Sequence, residues 1–498
     1  MPDIDISFKG STIASISDSG VTVLNTEGKY CEDNITVTYT KPSGGSSTPS
    51  ATVEEKDVNF IDYDGTLLYS YTASDFANLT AMPTNPSHTG LTAQGWNWAL
   101  ADAKTYVASY GKLVVGQMYV TQSGDTEIDI ELHAPRLTPY LGIAVNGSVD
   151  VDWGDGSTHD TMTGTSLTSQ KLTAHTYASE GLYKIKIHVS SGSFAVHGNG
   201  LNAIISGGFS NVNRNKVYAN SVKSVRIGTN VTLGIKGFIQ CSSLESINIP
   251  SGMQSIGNEN FNGCSSLTSI TFPSGITNIG DSMFRYCSSF KSLSVPSGVT
   301  SIGYAAFQNC QLSKLISIPS NVTRISGYTF TSSSCLSSIS IPNNVTSIDG
   351  NAFDSCKSLA SIIIPGSVTS IASKAFNSCS GLGEIYFIPT TPPGVLNSDA
   401  FSDLPTDCII YIPGDTAAIM AAYAGGTNYP SLSSYKYIGY ATFASGATLP
   451  TYYGSSYTFN WYATKEEAIA DNGTILSSGT GNEIYCRVLE GMVVTGDD

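Results

Sequence analysis

The sequence predicts a mainly β, multidomain chain in which small β modules precede a solenoid of short repeats and a last β module follows it. Three observations carry this expectation. Phe238, Phe261, Phe284, Phe307, Phe330, Phe353 and Phe376 stand 23 residues apart, and Pro250, Pro273, Pro296, Pro319, Pro342 and Pro365 keep the same step, as do Ile256, Ile279, Ile302, Ile325, Ile348 and Ile371. Columns that hold phase for so long mark an internal repeat, and repeats of this size are solenoid units. Outside them, stretches such as ITVTYT, TEIDIEL and YTFNWYA alternate apolar and polar residues with the strand period of two. Charged residues make up 13% of the chain, against ~25% in an average soluble domain. Hydroxyls, amides and glycine therefore carry its solubility.

Charge also excludes partners. With 24 basic and 39 acidic residues the net charge is −15, and such a surface repels phosphate backbones and anionic lipid. Nucleic acid and membrane insertion are not expected, since no run reaches the ~18 apolar residues of a spanning helix. The start, MPDIDISFKGSTIASISDSG, lacks the basic and apolar regions of a signal peptide, and the end, EGMVVTGDD, carries no sorting or lipidation pattern.

In chain order, residues 1–43 form a small N-terminal β module and 44–52, within KPSGGSSTPSAT, a flexible linker. Residues 53–128 mix strands (DVNFIDYD, LVVGQMYV) with one helix, where Leu100, Ala103, Val107 and Tyr110 recur at helical spacing before Gly111 stops it. Trp96 and Trp98 precede that helix and either line a groove or fill the core. Residues 129–195 contain SVDVDWGDGSTHD and HTYASEGLYKIKIHV. Trp153, Gly154, Asp155, Gly156, His175, Tyr177, Gly181 and Tyr183 there resemble the polycystic-kidney-disease (PKD) domain, which implies a β-sandwich whose aspartates bond turns and whose tyrosine packs across the sheets.

Residues 196–395 are the solenoid with an N-terminal cap. In SLTSITFP, Ile270 and Phe272 alternate with Ser269 and Thr271, and proline, lacking an N–H, ends the ladder. Ile276 and Ile279, a glycine turn and a one-turn helical piece ending at Phe284 and Cys287 complete the unit. One unit cannot bury its own apolar face, so neighbours stack at roughly 4.8 Å per repeat. The pattern resembles the BspA-like type of leucine-rich repeat over roughly residues 215–395, with an irregular first unit as expected of a cap. Cys241, Cys264, Cys287, Cys310, Cys356 and Cys379 follow the repeat Phe by three residues, and Ser333 stands in the same column. A metal or disulfide ladder does not tolerate serine, so the column reads as reduced core. Residues 396–437, with Phe401, Cys408 and an Ala-rich helix, read as the C-cap, and 438–498 as a small immunoglobulin-like β-sandwich.

Three constellations suggest chemistry. Asp62 and Asp64 in VNFIDYDGTLL resemble the first motif of haloacid-dehalogenase phosphatases, which implies a nucleophile and a general acid acting with Mg²⁺. The chain supplies no doubly wound domain around them, and Asp-Gly is a turn dipeptide. Glu127, Asp129 and Glu131 alternate on one strand face at a spacing that overlaps glycosidase carboxylates, or simply form a solvated face. Asp150, Asp152 and Asp155 fail the EF-hand form, leaving Ca²⁺ in another geometry or plain turn bonding. No catalytic, cofactor-binding or metal constellation emerges, and the chain reads as non-enzymatic.

The strand phase points Ile247, Ile270, Leu293, Ile316, Ile339 and Ile362 inward, hence their neighbours outward. The candidate ligand-binding face is therefore Ser246, Asn248, Ser269, Thr271, Ser292, Ser294, Ser317, Ser338, Ser340, Glu384 and Tyr386, with Leu315, Ser361 and Ile363 in the same columns. Small neutral hydroxyls in series suit a repetitive glycan met at many points. BspA-like arrays imply adhesion to host or bacterial surfaces, while GKYCEDNITVTYT and the segment from Asn59 to Val107 resemble modules of tailed-phage structural proteins from gut bacteria. The expected function is a phage virion protein, tail fibre or decoration, made in the host cytoplasm, holding other virion proteins through its N-terminal modules and a host-surface glycan or protein through its array. The alternative is a bacterial cell-surface adhesin; self-association stays open.

Overall fold

The structure, a computed structural model, describes residues 56–198, 203–206, 218–312, 318–389, 392–414, 417–424, 436–442, 457–472, 474–480 and 483–490, residues 445, 447 and 449, and short strands at 4–8, 11–17, 20–23, 36–37 and 452–453. It is mainly β, and it divides into two units, residues 1–54 and 55–498. In the first, β1 (Ile4–Phe8), β2 (Ser11–Ser17), β3 (Gly20–Val23) and β4 (Thr36–Val37) form an antiparallel sheet in the order β3-β2-β1-β4.

The second unit opens with the α+β module that strand and helix periods predict. Strands β5 (Val58–Ile61), β6 (Leu67–Tyr71), β7 (Leu91–Trp96) and β8 (Leu113–Thr121) lie in the order β6-β5-β8-β7. Helices α1 (Ala73–Ala77) and α2 (Leu100–Tyr110) pack on them over Val58, Phe60, Phe76, Trp98, Val107 and Val115. Gly111 ends α2 at φ 77°, its N–H donating to Val107 O at 2.7 Å, the left-handed cap that glycine adopts without strain. Asp62-Tyr63-Asp64-Gly65 is the tight turn between β5 and β6.

Next come β9 (Thr126–Leu132), β10 (Tyr140–Asp152), β11 (Asp160–Ala174), β12 (Gly181–Val196), β13 (Ile205–Ser206), β14 (Val222–Arg226) and β15 (Val231–Leu233). They form one continuous hydrogen-bonded sheet, β11-β10-β12-β9-β14, to which the first repeat strand Ser246–Asn248 is added in parallel. Two expectations change here. The strands β10 and β12 bulge and pair on both edges, so the strands of the expected sandwich are joined by hydrogen bonds into one continuous order. Strand β9 also runs through the expected boundary at 128/129, because pairing with β14 makes it the last rung before the solenoid.

In the solenoid, parallel strands stack in two rows, one through Ser269–Thr271 and Ser292–Ser294, the other through Asn278–Ile279 and Ser301–Ile302. Inward residues Ile247, Ile270, Leu293 and Ile362 are buried as their phase requires. The repeat phenylalanines from Phe238 to Phe401 form one stack, ring centroids 5.1–5.7 Å apart and planes within 12°. The segment before each Phe is not the expected helical turn. Lys236, Glu259, Ser282, Ala305, Tyr328, Asn351 and Lys374 all have φ of 51–59°, and a second left-handed column runs from Gln240 to Ser378. This alternation aims successive N–H groups at the next repeat: Glu259 N–H reaches Asp281 O at 2.9 Å, Phe261 N–H reaches Met283 O at 3.0 Å and Gly263 N–H reaches Arg285 O at 2.8 Å.

The C-terminal strands do not form a separate immunoglobulin-like sandwich among the described residues. Lys436–Thr442 pairs in parallel with Ile409–Pro413, and Glu483–Glu490, Tyr457–Tyr462 and Tyr452–Tyr453 extend the same sheet. Edge pairing satisfies the last repeat's open N–H and C=O groups, which a detached module would leave bare. Ala417–Ala424 is the helix expected in the cap.

Candidate functional site

The strand face of the repeats is the natural place to look, and the chain itself occupies much of it. Asn248, Ser269, Thr271 and Ser294, expected to be open, are at most 3% exposed, and Ser246 is half-buried. What covers them is the α+β module. Strand β8 crosses the outward column, with Val114 O accepting from Ser294 Oγ at 2.8 Å, Gly116 against Thr271, and Tyr119 O accepting from Asn248 Nδ2 at 2.9 Å. A Cβ at Gly116 would overlap the Thr271 side chain, so glycine is what lets the two backbones approach. The turn after β5 docks as well, Tyr63 O accepting from Ser269 Oγ at 3.4 Å and Asp64 O from Thr268 Oγ1 at 3.2 Å.

The module in turn donates to the solenoid. Asn97 Nδ2 donates to Phe272 O at 3.0 Å and to Ser294 Oγ at 2.9 Å, Trp98 Nε1 donates to Val295 O at 3.0 Å, and Tyr106 OH donates to Ile318 O at 2.8 Å. Each of the three carbonyl acceptors directly precedes a repeat proline. The carbonyl of that column takes the N–H of the residue one repeat and one position on, as Ile364 O does from Ile388 N–H at 3.0 Å. At Phe272, Val295 and Ile318 that residue is Pro296, Pro319 and Pro342, with no N–H to give. Asn97, Trp98 and Tyr106 fill the gaps.

At the far end the helix Lys465–Ala470 covers the face. Lys465 Nζ donates to Glu384 Oε1 at 2.6 Å and to Tyr386 OH at 2.8 Å, and lies 4.5 Å from the centre of the Tyr411 ring, which stacks on Tyr386 at 4.3 Å. Burial pushes the Glu384 carboxyl up, but hydrogen bonds from Lys465, Tyr386 and Tyr411 and the Lys465 charge outweigh it and hold it below its ordinary value. Glu384 and Tyr386 are thus bonded within the chain. Between the two covers Ser338, Ser340, Ser361 and Ile363 are exposed, Ile363 by 56%. Ser317 and the Ser292 side chain lie outside the described residues. A groove of about 380 Å³ runs between Asp102, Thr105 and Ser109 of α2 and the repeat turns at Ser297, Ser320 and Asn321.

The other constellations are structural. Asp62 is 3% exposed; one oxygen accepts from Tyr63 N–H at 2.8 Å and the other meets His88 Nε2 at 2.7 Å. Glu127, Asp129 and Glu131 form a partly solvated strand face that pairs with cations of the adjacent strands: Lys184 is 3.2 and 2.7 Å from Glu127 and Asp129, Arg226 is 3.2 Å from Glu127, and Lys223 is 2.8 Å from Glu131. Asp150 meets His159 at 2.7 Å, Asp152 accepts from Gly154 N–H at 2.9 Å, and Asp155 accepts from Ser157 N–H at 3.0 Å and meets His175 at 2.7 Å. Among the described residues no group of three or more His, Cys, Asp or Glu side chains is placed to hold a metal ion. No helix there is long and apolar enough to cross a membrane. Asn97 and Gly116, which organise the covered face, carry no repeat signature; the only mark in the sequence is a lone amide between two tryptophans.

Comparison with known proteins agrees with the array. Residues 210–316 and 314–420 match the family described as the BspA type leucine rich repeat region, in six copies. No curated protein matches the chain. Among solved structures, a leucine rich cell surface protein of Faecalibacterium prausnitzii is 28% identical over 44% of this chain and 73% of its own, with a TM-score of 0.27. Leucine-rich repeat proteins of Bacteroides ovatus (21% identity, 44% and 73% covered, TM-score 0.29) and Eubacterium ventriosum (22%, 47% and 77%, 0.26) are also similar.

Proposed function

We propose that the chain is a non-enzymatic binding protein that works at a cell surface as an adhesin, its array holding a glycan or protein of the host. The observation that carries this reading is the open middle of the strand face: Ser338, Ser340, Ser361 and Ile363 lie uncovered between two stretches that the chain covers itself. An exposed isoleucine among hydroxyls on neighbouring repeats supplies an apolar anchor within a polar rim. The flanking sheet of β9 to β14, with Trp153 stacked 4.9 Å from His175 and Tyr177 OH donating to Trp153 O at 2.9 Å, serves as a PKD-like spacer. The test is adhesion of the purified chain to host cells. Ser340→Arg with Ile363→Arg should weaken it about tenfold, the loss of ~1.4 kcal/mol, with an unchanged melting temperature. Undiminished adhesion would make the array a spacer.

A second reading keeps the same binding face on a phage virion, as a tail fibre or decoration protein whose N-terminal modules hold other virion proteins. Its support is the resemblance of residues 28–40 and 59–107 to tailed-phage structural proteins. Immunogold labelling of purified virions decides between the two locations, an unlabelled virion leaving the cell-surface adhesin.

A further inference from the structure

We infer that the open strands take an extended polypeptide segment of the partner, bound through its main-chain carbonyls and one side-chain donor; this rests on the binding role proposed above and names the partner's chemistry. The covered half of the face is the guide. There the outward column donates to main-chain carbonyls of an extended strand, Ser294 to Val114 and Asn248 to Tyr119. In return, the carbonyls before the prolines accept side-chain donors from the same module at Phe272, Val295 and Ile318.

Both columns continue past the cover. Ser340 stands one repeat beyond the Ser317 position and, like Ser338, is exposed, and neither hydroxyl bonds another side chain or carbonyl among the described residues. Ile341 O is the next carbonyl of the acceptor column, and the residue that should donate to it is Pro365. Among the described residues nothing replaces the missing N–H at Ile341. One repeat later the column closes, because Ile388 supplies a real N–H to Ile364 O. An acceptor left bare at a mostly buried residue is destabilising unless a partner satisfies it. The face thus offers hydroxyl donors, the Ile341 carbonyl and the exposed Ile363, in the arrangement that residues 97–119 already fit two repeats earlier. From Ser294 to the Tyr386 ring is four strand intervals, roughly 19 Å at ~4.8 Å each, room for five or six extended residues.

The probe is a random dodecapeptide library displayed on phage and selected on the full chain, with a glycan array run in parallel. Selected peptides, synthesised and measured by fluorescence anisotropy, should carry a Trp, Tyr or Asn donor and lose about tenfold in affinity with Ser340→Arg, equivalent to ~1.4 kcal/mol. Pro365→Ala restores an N–H for Ile341 O without adding bulk, so it should weaken the peptides several-fold while leaving the fold intact or firmer. Peptides indifferent to both changes overturn the inference. Glycans bound by wild type and lost with Ser340→Arg, with no peptide selected, leave the adhesin standing and refute its polypeptide partner. Cell adhesion unaffected by Ser340→Arg and Ile363→Arg, with no probe bound there, overturns both.

Discussion

At position 333 the array has already made a substitution and shows what its thiols do. Ser333 Oγ donates to Phe307 O at 3.1 Å, and Cys264, Cys287, Cys310, Cys356 and Cys379 direct Sγ to the corresponding carbonyl of the preceding repeat at 3.0–3.2 Å. The slot is therefore defined by a hydrogen bond as well as by size. Cys287→Ser should change stability by less than ~1 kcal/mol, since it keeps the bond, whereas Phe284→Ala should cost about 3–5 kcal/mol by opening the aromatic stack. Urea denaturation compares them, and equal costs would contradict the assignment. Burial raises the ladder thiols, Cys379 to about 12, so native protein should resist iodoacetamide at pH 8 and react only when unfolded. The columns were legible because they repeat; the bond was not, because sequence shows a small residue and not what it points at.

A repeat as an element carries two left-handed residues that nothing in its sequence announces, since only Gly263 marks either column. Lys374 is exposed with φ 56°, a conformation that costs an L-residue roughly 1 kcal/mol and glycine almost none. Lys374→Gly should thus raise the melting temperature, the opposite of glycine's usual effect. At the element that closes the C-terminal end, the pH dependence has a definite sign. Glu384's carboxyl is lowered in the fold, so the stability it contributes is present above its unfolded value and is lost as pH falls through the lower folded one. Thermal melts in acid should show the contact around Lys465 loosening first, and Lys465→Met should remove that step.

For the whole molecule, the decisive contacts join residues some two hundred positions apart. Asn97→Ala removes the donor to Phe272 O and Ser294 Oγ and the acceptor of Gly116 N–H at 2.8 Å, and should cost about 2–3 kcal/mol. Gly116→Val should lift β8 from the strand face, read as faster hydrogen exchange in residues 246–294 with the distal repeats unchanged. The solenoid, its inward columns and the α+β module could be read from spacing, because period and turn residues are local. That Ser338, Ser340 and Ser361 are exposed agrees with their phase. That the module would lie on the strand face was not legible, for Asn97 and Gly116 acquire their meaning only from partners in another segment.

The strapping of the two ends also makes the array mechanically uneven. Tension applied along the solenoid axis runs parallel to the hydrogen bonds between repeats and loads them one after another. The repeats under β8 and α2 are fastened by side-chain bonds to a second body, and those near Tyr386 and Tyr411 by the helix at Lys465. Among the described residues the strands from Ser338 to Ile371 are held by neither β8 and α2 nor the helix at Lys465, and they are expected to yield first. Each repeat that unravels releases 23 residues, lengthening the molecule by roughly 75 Å. The stretch that is free to hold a partner is thereby also the stretch that gives under load, so a pull on a bound partner is spent on lengthening the tether before it reaches the modules at either end.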